Sequence, residues 1–293
     1  MEDAEGPKLF VYHSPVRWGD LDAQGHVNNA AYVDYLQEAR VHFLLSGPPA
    51  TGALLDSGVL VVSHQVEYLR PISFGGHELA ISLWVDGIGG SRFWIGYDVF
   101  DGDELAARAR TALVPFDLKE GTLRRLTTEE REILTRHLAP AKPLRPLSRV
   151  RSTGNVQRFP LAVRWSDLDS YGHVNNVKFY DYIQEARIAL VNETVHPPGG
   201  SGGVPSGVGT APEAVWMVAR QDVDYLAPMD FRTEPYEVAT LVTAIGTRSF
   251  TLAAEVRDPG SGTVYATAGT IVVGTFPLSP TQRDALAAWA SAD

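Results

Sequence analysis

Arg17-Trp-Gly-Asp-Leu-Asp-Ala-Gln-Gly-His-Val-Asn-Asn29 recurs as Arg164-Trp-Ser-Asp-Leu-Asp-Ser-Tyr-Gly-His-Val-Asn-Asn176, and this pair of stretches decides the architecture. From Arg17 to Arg40 and from Arg164 to Arg187 the match is ungapped at an offset of 147, with 16 of 24 positions identical. At an offset of 157, Val66-Glu-Tyr-Leu-Arg-Pro71 answers Val223-Asp-Tyr-Leu-Ala-Pro228, and Ile88-Gly-Gly-Ser-Arg-Phe93 answers Ile245-Gly-Thr-Arg-Ser-Phe250. Leu126-Thr-Thr-Glu-Glu-Arg131 and Leu278-Ser-Pro-Thr-Gln-Arg283 both read as N-capped terminal helices. A whole domain is therefore duplicated. The expected domains are 1–150 and 151–293, joined through Ala139-Pro-Ala-Lys-Pro-Leu-Arg-Pro146 and the cationic residues after it, a stiff exposed composition. The second copy has ten more residues between helix and strand, near His196-Pro-Pro-Gly-Gly-Ser-Gly-Gly-Val-Pro-Ser206, whose composition predicts a mobile loop.

With 293 residues, 44% of them hydrophobic, each copy is long enough to bury its own core. The absence of cysteine removes disulfides, thiolate nucleophiles and cysteine metal sites. A formal charge of -10 opposes a general nucleic-acid role, since neutralising phosphates supplies most of the non-specific affinity there. The acidic N-terminus, Met-Glu-Asp-Ala-Glu, shows no signal peptide or membrane span, so the expected setting is cytoplasmic.

Leu9 to Trp18 and Phe159 to Trp165 are rich in β-branched and aromatic residues and lead into the polar signature as strands. After it, Tyr32, Tyr35, Leu36, Ala39 and Phe43, like Phe179, Tyr182, Ile183, Ala186 and Leu190, recur at helical spacing. Val59 to Leu69, Glu78 to Ile88, Phe93 to Phe100 and Glu104 to Pro115 then read as strands, repeated at Val215 to Leu226, Tyr236 to Ile245, Phe250 to Arg257 and Val264 to Val273. Short turns between consecutive strands imply antiparallel pairing. The fold class is α+β: one long helix packed on an antiparallel sheet, twice. Two such copies in one chain most simply make an intrachain pseudo-dimer.

Strand, Asp-x-x-Gly-His-Val-Asn-Asn, long helix and antiparallel sheet together resemble the tandem (double) hotdog arrangement of the 4-hydroxybenzoyl-CoA thioesterase and acyl-ACP thioesterase families. The resemblance covers both halves apart from the linker and the Pro/Gly loop. It implies hydrolysis of acyl-CoA or acyl-ACP thioesters at sites near the junction of the repeats, with no cofactor beyond the coenzyme A of the substrate and no metal. The catalytic acid it implies is Asp22 and Asp169, acting as general base or as nucleophile. The backbone N–H offered to the thioester carbonyl maps to Asn29 and Asn176. Participation of the motif histidine and asparagine maps to His26, Asn28, His173 and Asn175. Contacts to nucleotide phosphates map to Ser91, Arg92, Arg248 and Ser249. The expected partners are an acyl-CoA or acyl-carrier-protein thioester and a second copy of the chain in a homodimer, with no nucleic acid and no membrane. The acyl-ACP branch has an asparagine where this chain has Gln24 and Tyr171, and a glutamate where it has Pro71 and Pro228, so that mechanism does not transfer whole.

The chemistry fits the residue types. Thioester hydrolysis needs an activated water or nucleophile and donors aimed at the developing oxyanion. A carboxylate just ahead of a helix N-terminus offers the first, and the unpaired N–H groups of the helix offer the second. Plainer roles stand beside each of these: an N-cap for the aspartates, turn formation for the asparagines and histidines, and a solvated surface for the arginines. Asp20 and Asp167 read as structural. The alternative functions are a hotdog enoyl-thioester hydratase or dehydratase, and a non-catalytic acyl-CoA-binding protein.

Overall fold

The computed structural model describes residues 9–47, 49–139, 141, 144–145, 147, 155–194 and 216–290. The expected Pro/Gly loop and most of the expected linker lie outside them. The chain divides into two compact units, Met1–Arg145 and Pro146–Asp293.

In the first unit, β1 (Phe10–Pro15) is followed by α1 (Ala31–Ser46), α2 (Pro49–Ser57), β2 (Val59–Tyr68), β3 (Glu78–Ile88), β4 (Phe93–Asp101), β5 (Glu104–Asp117), the two-residue β6 (Thr122–Leu123) and α3 (Thr128–Arg136). The strands lie in the order β1-β3-β4-β5-β2, and every pairing is antiparallel. The second unit repeats this with β7 (Gln157–Leu161), α4 (Lys178–Thr194), β8 (Trp216–Tyr225), β9 (Tyr236–Ile245), β10 (Ser249–Arg257), β11 (Val264–Gly274) and α5 (Pro280–Ala287). Its order is β7-β9-β10-β11-β8, the same path with the same pairing.

Alternation builds the core. Along β3, Leu79, Ile81, Leu83 and Val85 are fully buried while Ala80, Ser82 and Trp84 between them are only partly so. A period of two places the four aliphatic side chains on one face of the sheet. Helix α1 lies against β1 and β3, and Val33, Leu36, Ala39 and Leu44 have no exposed surface. Each of the larger side chains contributes roughly 1.5–3 kcal/mol by leaving water. In the second unit Leu190 of α4 joins Val242, Phe250, Leu252, Val272, Leu278 and Leu286 in one cluster.

The terminal helices begin as their sequences predict. The Thr127 hydroxyl oxygen accepts from the Glu130 N–H and the Glu130 carboxylate accepts from the Thr127 N–H, and Ser279 and Gln282 repeat the box ahead of α5. Three elements differ from expectation. The strands expected over Leu9–Trp18 and Phe159–Trp165 stop at Pro15 and Leu161, because Trp18–Asp20 and Trp165–Asp167 turn into single 3-10 turns. Helix α2 has no counterpart in the sequence reading. It opens on Pro49, carries Gly52, and is fixed by full burial of Leu54, so its apolar signal is too short for a helical period. Among the described residues no helix is long and apolar enough to cross a membrane.

Candidate active site

Each signature folds into a closed turn around its second aspartate. The Asp22 N–H donates to the His26 carbonyl at 2.7 Å, and the Gly25 N–H returns to the Asp22 carbonyl at 3.0 Å. Gly25 sits at φ +79 and Gly172 at φ +82, a region that costs a side chain about 1–2 kcal/mol. Inside the turn, Oδ1 of Asp22 accepts from the backbone N–H groups of Gln24 (2.8 Å) and His26 (3.1 Å). Asp169 does the same with Tyr171 (2.8 Å) and His173 (3.3 Å). Both aspartates are half-buried. Among the described residues neither joins an ion pair, and Oδ2 of each has no hydrogen bond.

This geometry corrects the placement drawn from the sequence. Asp22 does not cap α1: it lies nine residues ahead of Ala31, and Ala30 is the N-cap, without a side-chain bond. The turn is tied to the helix start through the backbone instead, by the Asn28 N–H on the Asp20 carbonyl and the Asn175 N–H on the Asp167 carbonyl, both 2.8 Å. The first aspartates are structural. Asp20 Oδ2 accepts from the Arg17 N–H and the Tyr35 hydroxyl, and Asp167 Oδ2 accepts from the Arg164 N–H and the Tyr182 hydroxyl. Burial, then the hydrogen bond to the carboxylate, pushes both phenols above the ordinary tyrosine range.

Asn28 and Asn175 form turns with their side chains: Oδ1 accepts from the Ala30 N–H (2.9 Å) and from the Val177 N–H (3.3 Å). Asn29 and Asn176 stand at the mouth of the helix. The Asn29 carbonyl accepts from the Tyr68 hydroxyl and the Asn176 carbonyl from the Tyr225 hydroxyl, each at 2.8 Å. His26 and His173 contribute their backbones to the turn. Among the described residues the His173 ring pairs with the exposed Asp230, at 3.9 Å, a contact worth little in water. Tyr32, buried to 3% exposure, differs from Phe179 in carrying a hydroxyl; burial, then Asp101 and Asp22, push that phenol upward in pKa.

The residues that the resemblance maps to phosphate contact fall elsewhere. Glu78, at one end of β3, pairs with Pro15 just before the signature, whereas Ser91 and Arg92 occupy the turn beyond Ile88 at its other end. Ten residues of strand separate them, about 33 Å. Arg248 and Ser249 are likewise at the far end of β9 from the second signature. Arg92 packs over the Trp94 ring at 5.9 Å. Within a unit, then, the structure gathers Asp22, His26, Asn28 and Asn29 and leaves Ser91 and Arg92 apart.

Two features were not read from the sequence. Tyr68 and Tyr225 were visible only as part of the matched Val66 and Val223 strings. Trp18 and Trp165, 75% and 73% exposed, stand edge-on to Phe74 and Phe231 at 5.6 and 5.4 Å, flanking each signature. A cavity of about 500 Å³ in the second unit is lined by Arg158, Glu237, Glu255 and Arg257 and contains no signature residue. Its arginines face carboxylates, Glu237 lying 2.7 Å from both Arg158 and Arg257. Among the described residues no group of three or more His, Asp and Glu is arranged to hold a metal ion.

Comparison with known proteins agrees with this picture. The family model of the thioesterase-like superfamily matches residues 16–147 and again 163–275. A protein of Aquifex aeolicus (strain VF5) that carries the provisional name of an esterase is 31% identical over 104 residues, 35% of this chain and 80% of that protein. The chloroplastic palmitoyl-acyl carrier protein thioesterase of Cuphea hookeriana is 30% identical over 128 residues, which span 41% of this chain and only 31% of that enzyme. Among solved structures, the 12:0-ACP thioesterase from Umbellularia californica superposes with a TM-score of 0.65 at 18% identity, covering 91% of this chain and 98% of that one, a likeness of fold. The duplicated signature, the repeated helix-on-sheet unit and the two family matches converge: the chain belongs to the thioesterase-like superfamily.

Proposed function

We propose that Asp22 and Asp169 carry the acyl-thioester hydrolysis that membership of this superfamily assigns to the chain. One observation supports this above others. In both repeats Oδ1 is held by two backbone N–H groups, while Oδ2 of a half-buried carboxylate has no partner among the described residues. A residue needed only to shape the turn would need only Oδ1.

In the general-base form, water attacks the thioester carbonyl carbon and passes a proton to Oδ2. The carbon–sulfur bond then breaks, and the thiol leaves with that proton. In the nucleophilic form, Oδ2 attacks the carbonyl, expels the thiolate and forms an acyl anhydride that water cleaves. The geometry is compatible with both. The oxyanion is assigned to the backbone N–H of Asn29 or Asn176, in a peptide unit whose carbonyl is held, that of Asn28 by the Ala31 N–H and that of Asn175 by the Lys178 N–H. His26 and His173 border the carboxylate through the turn they close. The assignments of Ser91, Arg92, Arg248 and Ser249 to phosphate rest on resemblance alone.

The proposed substrate is an acyl-CoA or an acyl-carrier-protein thioester; the name of the Cuphea hookeriana relative favours the carrier protein. The test is thiol release from a panel of short, long and aromatic acyl-CoAs, and from the same acyl groups on a carrier protein, trapped with a chromogenic disulfide. The wild type is expected to turn over at least one. The combined Asp22→Asn and Asp169→Asn variant is expected to lose about 10²–10⁴-fold in kcat. Full activity in that variant overturns the assignment. Tight acyl-CoA binding with no thiol release in the wild type favours the non-catalytic alternative.

A further inference from the structure

We infer that Tyr68 and Tyr225 are positioning residues for catalysis, each pinning the Asn29 or Asn176 carbonyl and thereby holding in place the adjoining peptide unit whose Asn29 or Asn176 N–H polarises the thioester carbonyl. This inference rests on the reading of Asp22, Asp169, Asn29 and Asn176 given above.

The hydroxyl of Tyr68 donates to the Asn29 carbonyl at 2.8 Å, and the hydroxyl of Tyr225 donates to the Asn176 carbonyl at the same distance. The two bonds span 39 and 49 residues of chain, so neither is a local capping interaction. Each tyrosine is the last residue of its strand, β2 or β8, and each bond ties a sheet to the start of the helix packed on it. The rings are fixed as well as the hydroxyls. Tyr68 stands edge-on to Tyr32 at 5.0 Å and 87°, and Tyr225 stands edge-on to Phe179 at 5.3 Å and 83°. Because the aromatic partner differs between the repeats while the hydrogen bond does not, packing alone does not account for the hydroxyl.

The surrounding bonds show what the tyrosine adds. The Asn28 N–H donates to the Asp20 carbonyl, the Asn28 carbonyl accepts from the Ala31 N–H, and the Ala30 N–H is held by Asn28 Oδ1. All of these are made within the signature or the first residue of α1. The Tyr68 bond alone of these anchors the segment to the rigid sheet. Donors at an oxyanion site act by being fixed before charge develops, so loosening one costs rate in the transition state more than substrate affinity.

The experiment uses the full chain with Tyr68→Phe, Tyr225→Phe and the two combined, assayed on the best substrate of the acyl-thioester panel. Phenylalanine keeps the ring and removes only the hydroxyl. The combined variant is expected to lose about fivefold to tenfold in kcat, the effect of one hydrogen bond, with KM within about twofold. Thermal unfolding is followed alongside. A kcat loss that is matched by a loss of folded protein at the assay temperature, or that appears equally in KM, assigns the hydroxyls to stability or binding and overturns the proposal. Unchanged kcat in the combined variant, with Asp22→Asn plus Asp169→Asn inactive, overturns this inference and leaves the aspartate assignment standing. A wild type that releases no thiol from any substrate removes both.

Discussion

Gly25 and Gly172 show how much of the site is backbone chemistry. An added Cβ at either position would meet no atom within 4 Å, so the whole cost of Gly25→Ala is the positive φ, about 1–2 kcal/mol. That energy is charged to the turn that holds the Asp22 carboxylate. Gly25→Ala and Gly172→Ala are therefore expected to destabilise by about 1–2 kcal/mol each in urea titration and to lower kcat in their own repeat. A variant that retains both stability and rate would show that the turn tolerates another shape. The glycine was legible in the sequence as a turn residue. The bonds it permits were not, because Asp22 Oδ1 reaches backbone donors two and four residues on, and sequence spacing alone reads equally as a helix cap.

Elements were most legible where the hydrophobic period was long. Strand β3 begins and ends where the alternation in Glu78–Ile88 places it, and β9 covers the expected Tyr236–Ile245 although its first seven residues are all buried. Reading failed where tertiary contacts override local pattern: in α2, held by Leu54, and at Trp18 and Trp165, aromatic residues that continue the apparent strand but turn away from it. Helix α3 offers a pH test. Burial alone would raise Glu130, but the bidentate pairing with Arg124 at 2.8 and 2.9 Å and the Thr127 N–H hold its carboxyl below the ordinary 4.5. The sign follows from linkage: the stabilisation is complete above that value and is lost as pH falls through the lower native one. Glu130→Gln is expected to cost about 1.5–3 kcal/mol at pH 7, with the gap to wild type closing as denaturation is repeated toward pH 3. A gap independent of pH would reject the charge as its cause. In α1, Leu36→Ala removes a side chain with no exposed surface and is expected to cost about 2–5 kcal/mol by the same titration.

At the scale of the molecule, duplication made the architecture readable, since two copies agreeing in strand order leave few other folds. It also poses a question that composition cannot answer. The carboxylate turns are alike, but Tyr32 corresponds to Phe179, Gln24 corresponds to Tyr171, and His26 pairs through its backbone with Ser73 where His173 approaches Asp230. If the repeats are equivalent, Asp22→Asn and Asp169→Asn alone should each halve kcat and leave KM unchanged. A single variant that abolishes turnover would assign the reaction to one repeat. The water-facing indoles give a way to watch this directly. Of six tryptophans, Trp18 and Trp165 are the two that lie largely in solvent, so long-wavelength emission should come mainly from them, and Trp18→Phe or Trp165→Phe leaves one water-facing indole, beside one carboxylate turn, above the emission of the four half-buried ones. Quenching of each on adding a non-hydrolysable thioether analogue would report occupancy repeat by repeat, without labelling the protein.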